Sequence, residues 1–462
     1  MIHTMMNDRK DTTPAAGFGR QIVSRKQALK AGAATLTGVV GLSELGGAGT
    51  ALASSPAHLS HSTSVAMSLW THDLNTRNFW LRRAREWAKL HPQYQFTFNF
   101  VQIPYADLFT KVLGNLAAGT GAPDLVGIEI SAFSRFMKGN IAARGLVNLT
   151  PLIGAERDKF VRWEPYMVKG HIYGAETALC PVGLYYREDV FKQAGIKAPI
   201  DTYNDLLAAG RILAKRNKYI MMVGTQDTGV FLEMFQQAGG HIFDADGRLT
   251  LDDPRAVQAL AYLAKGVKEK LFWAAPNMYG APAIAALKLG RVAGVLMPDW
   301  YQETDLNSTL IREAQGKWRV QPMPAWSSGG RRISTLGGTG FAITRQSRHP
   351  DLAWSLLHYT YMTEENQIKR YQELAFFPTM KEAFHDPRVT KAPAPYFGGQ
   401  PVGGVYASQV AHLPQQYQSP FWNEALTQLG NEYTNAMAGR KTPARAIRDA
   451  TAAIRKVMAK GS

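Results

Sequence analysis

The chain has 462 residues, too many for one ordinary hydrophobic core, so two or three domains or one large two-lobed unit are expected. Hydrophobic residues make up 45% and charged residues 19%, which excludes wholesale disorder. The formal charge is +16, but the basic residues are scattered, with no run of five or more Lys/Arg, so no nucleic-acid partner is expected.

Residues 1–53 read as an export signal. A polar stretch ends in Ser24-Arg25-Lys26, a mild apolar segment runs from Ala31 to Leu42, and Ala51-Leu52-Ala53 has the small-x-small form of a cleavage site. The apolar segment falls short of the ~20 residues a bilayer span needs. The long polar start and basic pair resemble a twin-arginine signal, with Lys26 in place of the second Arg and Ala28 in place of the usual large apolar residue. The single cysteine, Cys180, allows no internal disulfide and no zinc cluster. With no cysteine near the cleavage site, the expected form is a periplasmic protein not lipid-anchored through an N-terminal Cys. Residues 54–63 read as a linker.

The next segments alternate in period. Val65–Trp70 reads as a strand, and Trp80, Ala84, Trp87 and Ala88 mark the apolar face of a helix ended by His91-Pro92. Tyr94, Phe96, Phe98 and Phe100 alternate with polar residues, a strand period. Leu108, Val112 and Leu116 mark another helix, broken by Gly119–Pro123, and Asp124–Ile130 is a further strand. Thr202 and Asp205 predict a capping box, and Asp253-Pro254 and Thr442-Pro443 predict helix starts. Such alternation predicts an α/β layer with a mostly parallel sheet, whose ligands bind beyond the carboxyl ends of the strands. The loops after Trp70 and Ile130 are therefore the first places to look for a site.

Several blocks, taken in order, resemble the family 1 extracellular solute-binding proteins, the maltose-binding-protein-like receptors of ABC importers. They are Ser68-Leu69-Trp70-Thr71-His72-Asp73, Gly119–Asp124, Gly145–Thr150, Gly170–Gly174, Leu184–Gly195, Gly239-Gly240 with Asp244–Gly247, Gly290–Gly294 running into Pro298-Asp299-Trp300, Pro322-Met323-Pro324 and Gly337-Gly338. The chain departs from the family pattern at Glu176, where Pro is usual in the "Tyr-Gly-Leu" context, and at Arg187, where Asn is usual. The resemblance implies a two-lobed α/β periplasmic-binding-protein type II fold with hinged lobes and a central cleft. Crossings are expected near Cys180, Trp300 and Gly338. Lobe 1 would then comprise 64–180 plus 300–338, and lobe 2 would comprise 181–299 plus 339–462.

The ligand implied is a saccharide, taken by a monomer that hands it to permease subunits without catalysis, cofactor or metal. A sugar cleft needs aromatic faces for the ring and fixed polar groups for the hydroxyls. Trp300 matches the family's cleft tryptophan, and Trp422 resembles an aromatic near the family's C-terminus. Trp70, His72 and Asp73 lie at the end of the first strand, and Glu129 and Phe133 at the end of the third. Asp227, Phe231 and Asp299 complete the expected set. Cys180 is expected to be structural. The competing readings are an exported polysaccharide-active enzyme and a receptor for a non-sugar anion such as a glycerol phosphodiester. Against the enzyme, no Gly-x-Ser-x-Gly, His-Glu-x-x-His or dinucleotide motif occurs.

Overall fold

The computed structural model describes residues 63–302, 306 and 312–461. The expected export signal, and the linker up to residue 62, lie outside the described residues. Apart from the short hairpin Met167–Val168/His171–Ile172, ten strands organise the described residues: β1 Thr63–Thr71, β2 Tyr94–Gln102, β3 Leu125–Glu129, β4 Ala175–Glu176, β5 Val182–Arg187, β6 Met221–Gly224, β7 Phe272–Ala275, β8 Gly294–Pro298, β9 Trp318–Pro322 and β10 Thr339–Ile343.

One sheet has the order β2-β1-β3-β10-β4. β1 runs parallel to β2 and β3, whereas β10 is antiparallel to β3 and β4. The period-two aromatics of β2 are only half-buried because β2 is the edge strand of that sheet. They still pack inward: Phe98 stacks on Trp80 at 5.7 Å and Phe96 lies 4.9 Å from Trp87. Both tryptophans are fully buried on the helix Arg77–Leu90, as its spacing predicts.

The second sheet has the order β8-β5-β9, all antiparallel. The parallel pair β6–β7 adjoins it through the backbone bond from Ala293 N to Tyr219 O. The mostly parallel layer expected from the sequence is therefore confined to β1–β2, β1–β3 and β6–β7. β5 and β10 enter their sheets from connecting segments rather than from strand-helix-strand units, so they pair antiparallel.

Sheet membership also differs from the expected division of the chain. β9, placed with lobe 1, pairs with β5 of the second sheet, and β10, placed with lobe 2, pairs with β3 of the first. The chain passes from the first sheet to the second over 177–181 and returns over 323–338. Near Trp300 it does not change sheet, because β8 and β9 both pair with β5. The expectation placed the return at the Pro298-Asp299-Trp300 block, but the pairing partner of β9, not the motif, fixes the sheet. Below, lobe 1 means the elements around the first sheet and lobe 2 those around the second.

Local signals set the helix starts. Thr202 Oγ1 accepts from Asp205 N at 3.2 Å and Asp205 returns the bond to Thr202 N at 3.0 Å, a complete capping box. Asp253 accepts from Arg255 N at 2.7 Å ahead of the helix Pro254–Lys268. That helix packs on Trp422–Met437 and Pro443–Gly461 in lobe 2. No helix among the described residues is long and apolar enough to cross a membrane.

The two passages run side by side. Val182 N donates to Ser334 O at 2.9 Å, and Thr177 Oγ1 donates to Thr339 O at 2.7 Å. A buried ion pair pins them: Arg162 Nη2 reaches Glu176 Oε1 at 2.6 Å, Thr335 Oγ1 at 3.3 Å and Leu179 O at 3.4 Å. Glu176 departs from the family's proline here, and its buried carboxylate is held by the fork of Arg162.

Candidate functional site: the cavity between the sheets

A cavity of about 450 Å³ opens where the passages meet the strand ends, within the size range of small-molecule pockets. Lobe 1 supplies His72, Asp73, Leu74 and Asn75 after β1, and Glu129 at the end of β3. The passages supply Ala178, Cys180, Gly337, Gly338 and Thr339. Trp300 follows β8, and Arg370 and Phe376 come from the helix Glu364–Leu374 and the turn after it.

β1 and β3 are parallel neighbours, so their carboxyl ends point the same way and bring residues 57 apart in sequence to one rim. His72 packs edge-on against Tyr105 at 5.3 Å. Its Nδ1 is buried without a hydrogen-bond partner among the described residues. Burial pushes the His72 pKa below its ordinary value, and the Asp73 charge opposes this only in part. The ring is therefore neutral at neutral pH, with one nitrogen donating and the other accepting. Asp73 accepts from Asn75 N at 3.0 Å, which fixes the loop. Glu129 accepts from Ser131 N at 2.9 Å and from Tyr105 OH at 3.3 Å, and burial pushes its carboxyl up. The same burial, reinforced by the Glu129 charge, pushes the Tyr105 phenol up to about 12.

Trp300 forms an aromatic wall. Its Nε1 donates to Leu336 O at 3.1 Å, tying the indole to the return passage. Gly337 lies against that edge: a Cβ there would come within 3.2 Å of Nε1. Gly338 has φ +118°, a conformation that excludes other residues, and a Cβ there would sit 3.3 Å from Cys180 Sγ. Cys180 is fully buried and its thiol is pushed well above its ordinary pKa by burial, which disfavours the reactive thiolate.

Four of the ten expected site residues thus line the cavity: His72, Asp73, Glu129 and Trp300. Six do not. Trp70 is half-buried in β1 with Lys111 Nζ 4.5 Å above its ring. Phe133 is core, 5.1 Å from Tyr166, and Phe231 is core beside Phe235 and Tyr433. Asp227 accepts from Gly229 N at 2.7 Å at the start of the helix Gly229–Gln237. Trp422 is 5% exposed and faces Phe243 at 6.2 Å, bordering a separate small void. Asp299 is fully buried behind the cavity wall, where its Oδ2 accepts from Phe377 N at 2.6 Å. Burial pushes the Asp299 carboxyl up to about 7. Asp299 holds the turn that carries Phe376 rather than facing the cavity itself.

Sequence reading missed Arg370 and Phe376. Arg370 sits in Asn366-Gln367-Ile368-Lys369-Arg370-Tyr371, which reads as a solvated helix, yet Asn366, Gln367, Arg370 and Tyr371 are all buried. Their i, i+1, i+4, i+5 spacing is the available signal: one face, polar and inward.

A hinged pair of α/β lobes around a polar and aromatic cavity defines a ligand-capturing receptor. The family model described as bacterial extracellular solute-binding protein matches residues 86–397, and this chain belongs to that family. The chain is therefore a binding protein acting outside the cytoplasm, not the exported enzyme that was the alternative. It is 33% identical over 323 residues to the arabinooligosaccharide-binding protein of Bacillus subtilis (strain 168), covering 69% of this chain and 74% of that one. It is 28% identical over 389 residues to the lactose-binding protein of Rhizobium radiobacter, covering 81% and 88%. Among solved structures, the galacto-N-biose-/lacto-N-biose I-binding protein of the ABC transporter from Bifidobacterium longum, in complex with lacto-N-biose, matches with a TM-score of 0.71 at 18% identity. That match covers 86% of this chain and 98% of the other and supports the expected two-lobed fold.

Proposed function

We propose that the chain captures a saccharide in this cavity and presents it to the permease subunits of an ABC importer, acting as a monomer in the periplasm after export through residues 1–53. The observation that carries the reading is the cavity lining itself: an indole, Trp300, shares one cavity with the neutral imidazole and the carboxyl groups at the ends of β1 and β3. That combination suits a sugar, whose ring has an apolar face and whose edge carries hydroxyls. The names of the relatives from Bacillus subtilis and Rhizobium radiobacter support the same class.

In this reading Trp300 stacks on the ring, His72 makes one hydrogen bond to a hydroxyl through the ring nitrogen that is not buried, and Asp73 and Glu129 accept from hydroxyls. Lobe 2 swings about the passages 177–181 and 323–338 and the later stretch by which the chain returns to lobe 2 after the helix Pro350–Tyr361, and closure expels water from the cavity. The lobes already touch at the start of the helix Trp422–Met437: Asn423 Nδ2 donates to Ser134 Oγ at 2.7 Å, and Lys138 pairs with Glu424. These rim contacts would latch a closed state. The test is a thermal-shift and calorimetric screen of the purified mature chain against arabino-, galacto- and gluco-oligosaccharides, lactose, sugar acids and glycerol phosphodiesters. Saturable binding of at least one saccharide is expected. Hits confined to non-saccharides would overturn the ligand class and leave the fold standing.

A further inference from the structure

Four arginines are buried among the described residues: Arg83, Arg162, Arg187 and Arg370. Three have a carboxylate at ion-pair distance. Arg83 reaches Glu86 at 2.9 Å, Arg162 reaches Glu176 at 2.6 Å and Arg187 reaches Asp189 at 2.7 Å. Arg370 is 3% exposed and has no such partner among the described residues. It is also the one of the four that lines the cavity.

The surroundings of Arg370 are otherwise fitted to a guanidinium. Its Cζ lies 4.5 Å from the Phe376 ring centroid and 5.1 Å from that of Tyr361, and Nη1 donates to Thr177 O. Nε is buried with no hydrogen-bond partner among the described residues. Cation–π contacts of this kind are weaker than the desolvation a buried cation suffers, so the charge is left under-compensated on its cavity side. The nearest acidic group behind it, Asp299, is beyond ion-pair distance, is committed to Phe377 N, and is kept partly protonated by burial. Of the acidic groups on the cavity wall, neither Glu129, held by Ser131 and Tyr105, nor Asp73, held by Asn75 N, is at ion-pair distance from Arg370.

We infer that the ligand is an acidic saccharide, a uronate-bearing sugar whose carboxylate completes the missing ion pair of Arg370 in the cavity. This rests on the reading of the cavity as a saccharide site and narrows it. A planar guanidinium matches a carboxylate in two parallel hydrogen bonds, a geometry that a single hydroxyl does not supply, and Nη2 makes no hydrogen bond among the described residues. Without residues 1–53 the chain keeps 46 basic against 33 acidic residues, a formal charge of +13, which acts in the same direction because a positive field raises the encounter rate of an anion.

The test pairs each acidic probe with a neutral counterpart differing only at the carboxylate. Di- and trisaccharides of galacturonate, glucuronate and mannuronate are titrated calorimetrically beside the matching galacto-, gluco- and manno-oligosaccharides. At least one acidic probe is expected to bind tenfold or more tighter than its counterpart, with affinity falling as salt rises. Arg370→Gln should abolish the preference. Arg370→Lys, which keeps the charge but not the fork, should retain only part of it and covers the case in which the glutamine variant fails to fold, as checked by circular dichroism. Equal or tighter binding of the neutral sugars would overturn the inference while leaving the saccharide reading intact. An undiminished preference in Arg370→Lys would also overturn the role given to this residue. Binding of no saccharide of either kind would remove both.

Discussion

The two lobes meet the cavity in different ways. Lobe 1 presents His72, Asp73 and Glu129 from loops at the carboxyl ends of neighbouring parallel strands. The residues expected from lobe 2 helices, Phe231 and Trp422, are packed inside it, and Asp227 ties down a helix start. A parallel strand must end somewhere, and its next residues project beyond the sheet, so a polar group there is available to a ligand. An aromatic inside an amphipathic helix has an apolar alternative, and burial wins. The lobe 2 contribution comes instead from Trp300, which also follows a strand end, although β8 pairs antiparallel with β5.

This contrast can be broken by substitution. The largest effect is expected at Phe231→Ala, which removes a fully buried ring stacked beside Phe235 and should cost about 3–5 kcal/mol of stability in urea unfolding. Its affinity for saccharide, measured under native conditions, should stay within twofold of the parent. A comparable loss is expected at Glu176→Gln, about 3–5 kcal/mol, because Arg162 is left buried without its counter-charge. Replacing both residues by methionine should recover most of that loss.

A smaller effect, of opposite sign, is expected at Glu233. Both of its carboxyl oxygens are fully buried without hydrogen-bond partners among the described residues, and burial pushes its pKa well above the ordinary range, with Asp227 adding to the shift. The unfolded chain ionises near the ordinary value of about 4.3. Stability from this group is therefore fully present below that value and is lost as pH rises towards the folded-state pKa. Unfolding midpoints at pH 5 and pH 8 should show that Glu233→Gln flattens this decline; an unchanged pH slope would mean the carboxyl has a partner in solution. The smallest effect is at His72→Ala, about 1 kcal/mol in saccharide affinity with little change in stability, as for a neutral hydrogen bond at the rim.

The sequence made the lobe 1 half of the site legible and hid much of the rest. His72, Asp73 and Glu129 could be reached because strand period and strand ends are local signals. Trp300 could be reached through the Pro-Asp-Trp block. The division of the chain between sheets was not legible, since whether β9 pairs with β5 depends on partners more than a hundred residues away. Arg370 was hidden for a related reason: a polar helix face reads as solvated until the buried groups around it, Tyr361 and Phe376, are known.

The most direct measurement is a tryptophan-fluorescence and calorimetric titration of one saccharide hit against the parent chain, Trp300→Ala and Trp422→Ala. The cavity reading predicts that Trp300→Ala weakens binding by at least about 1 kcal/mol, as for a stacked aromatic contact, and that Trp422→Ala lowers stability but leaves affinity unchanged. Full affinity in Trp300→Ala, with binding lost in Trp422→Ala, would contradict it and remove the ligand from this cavity.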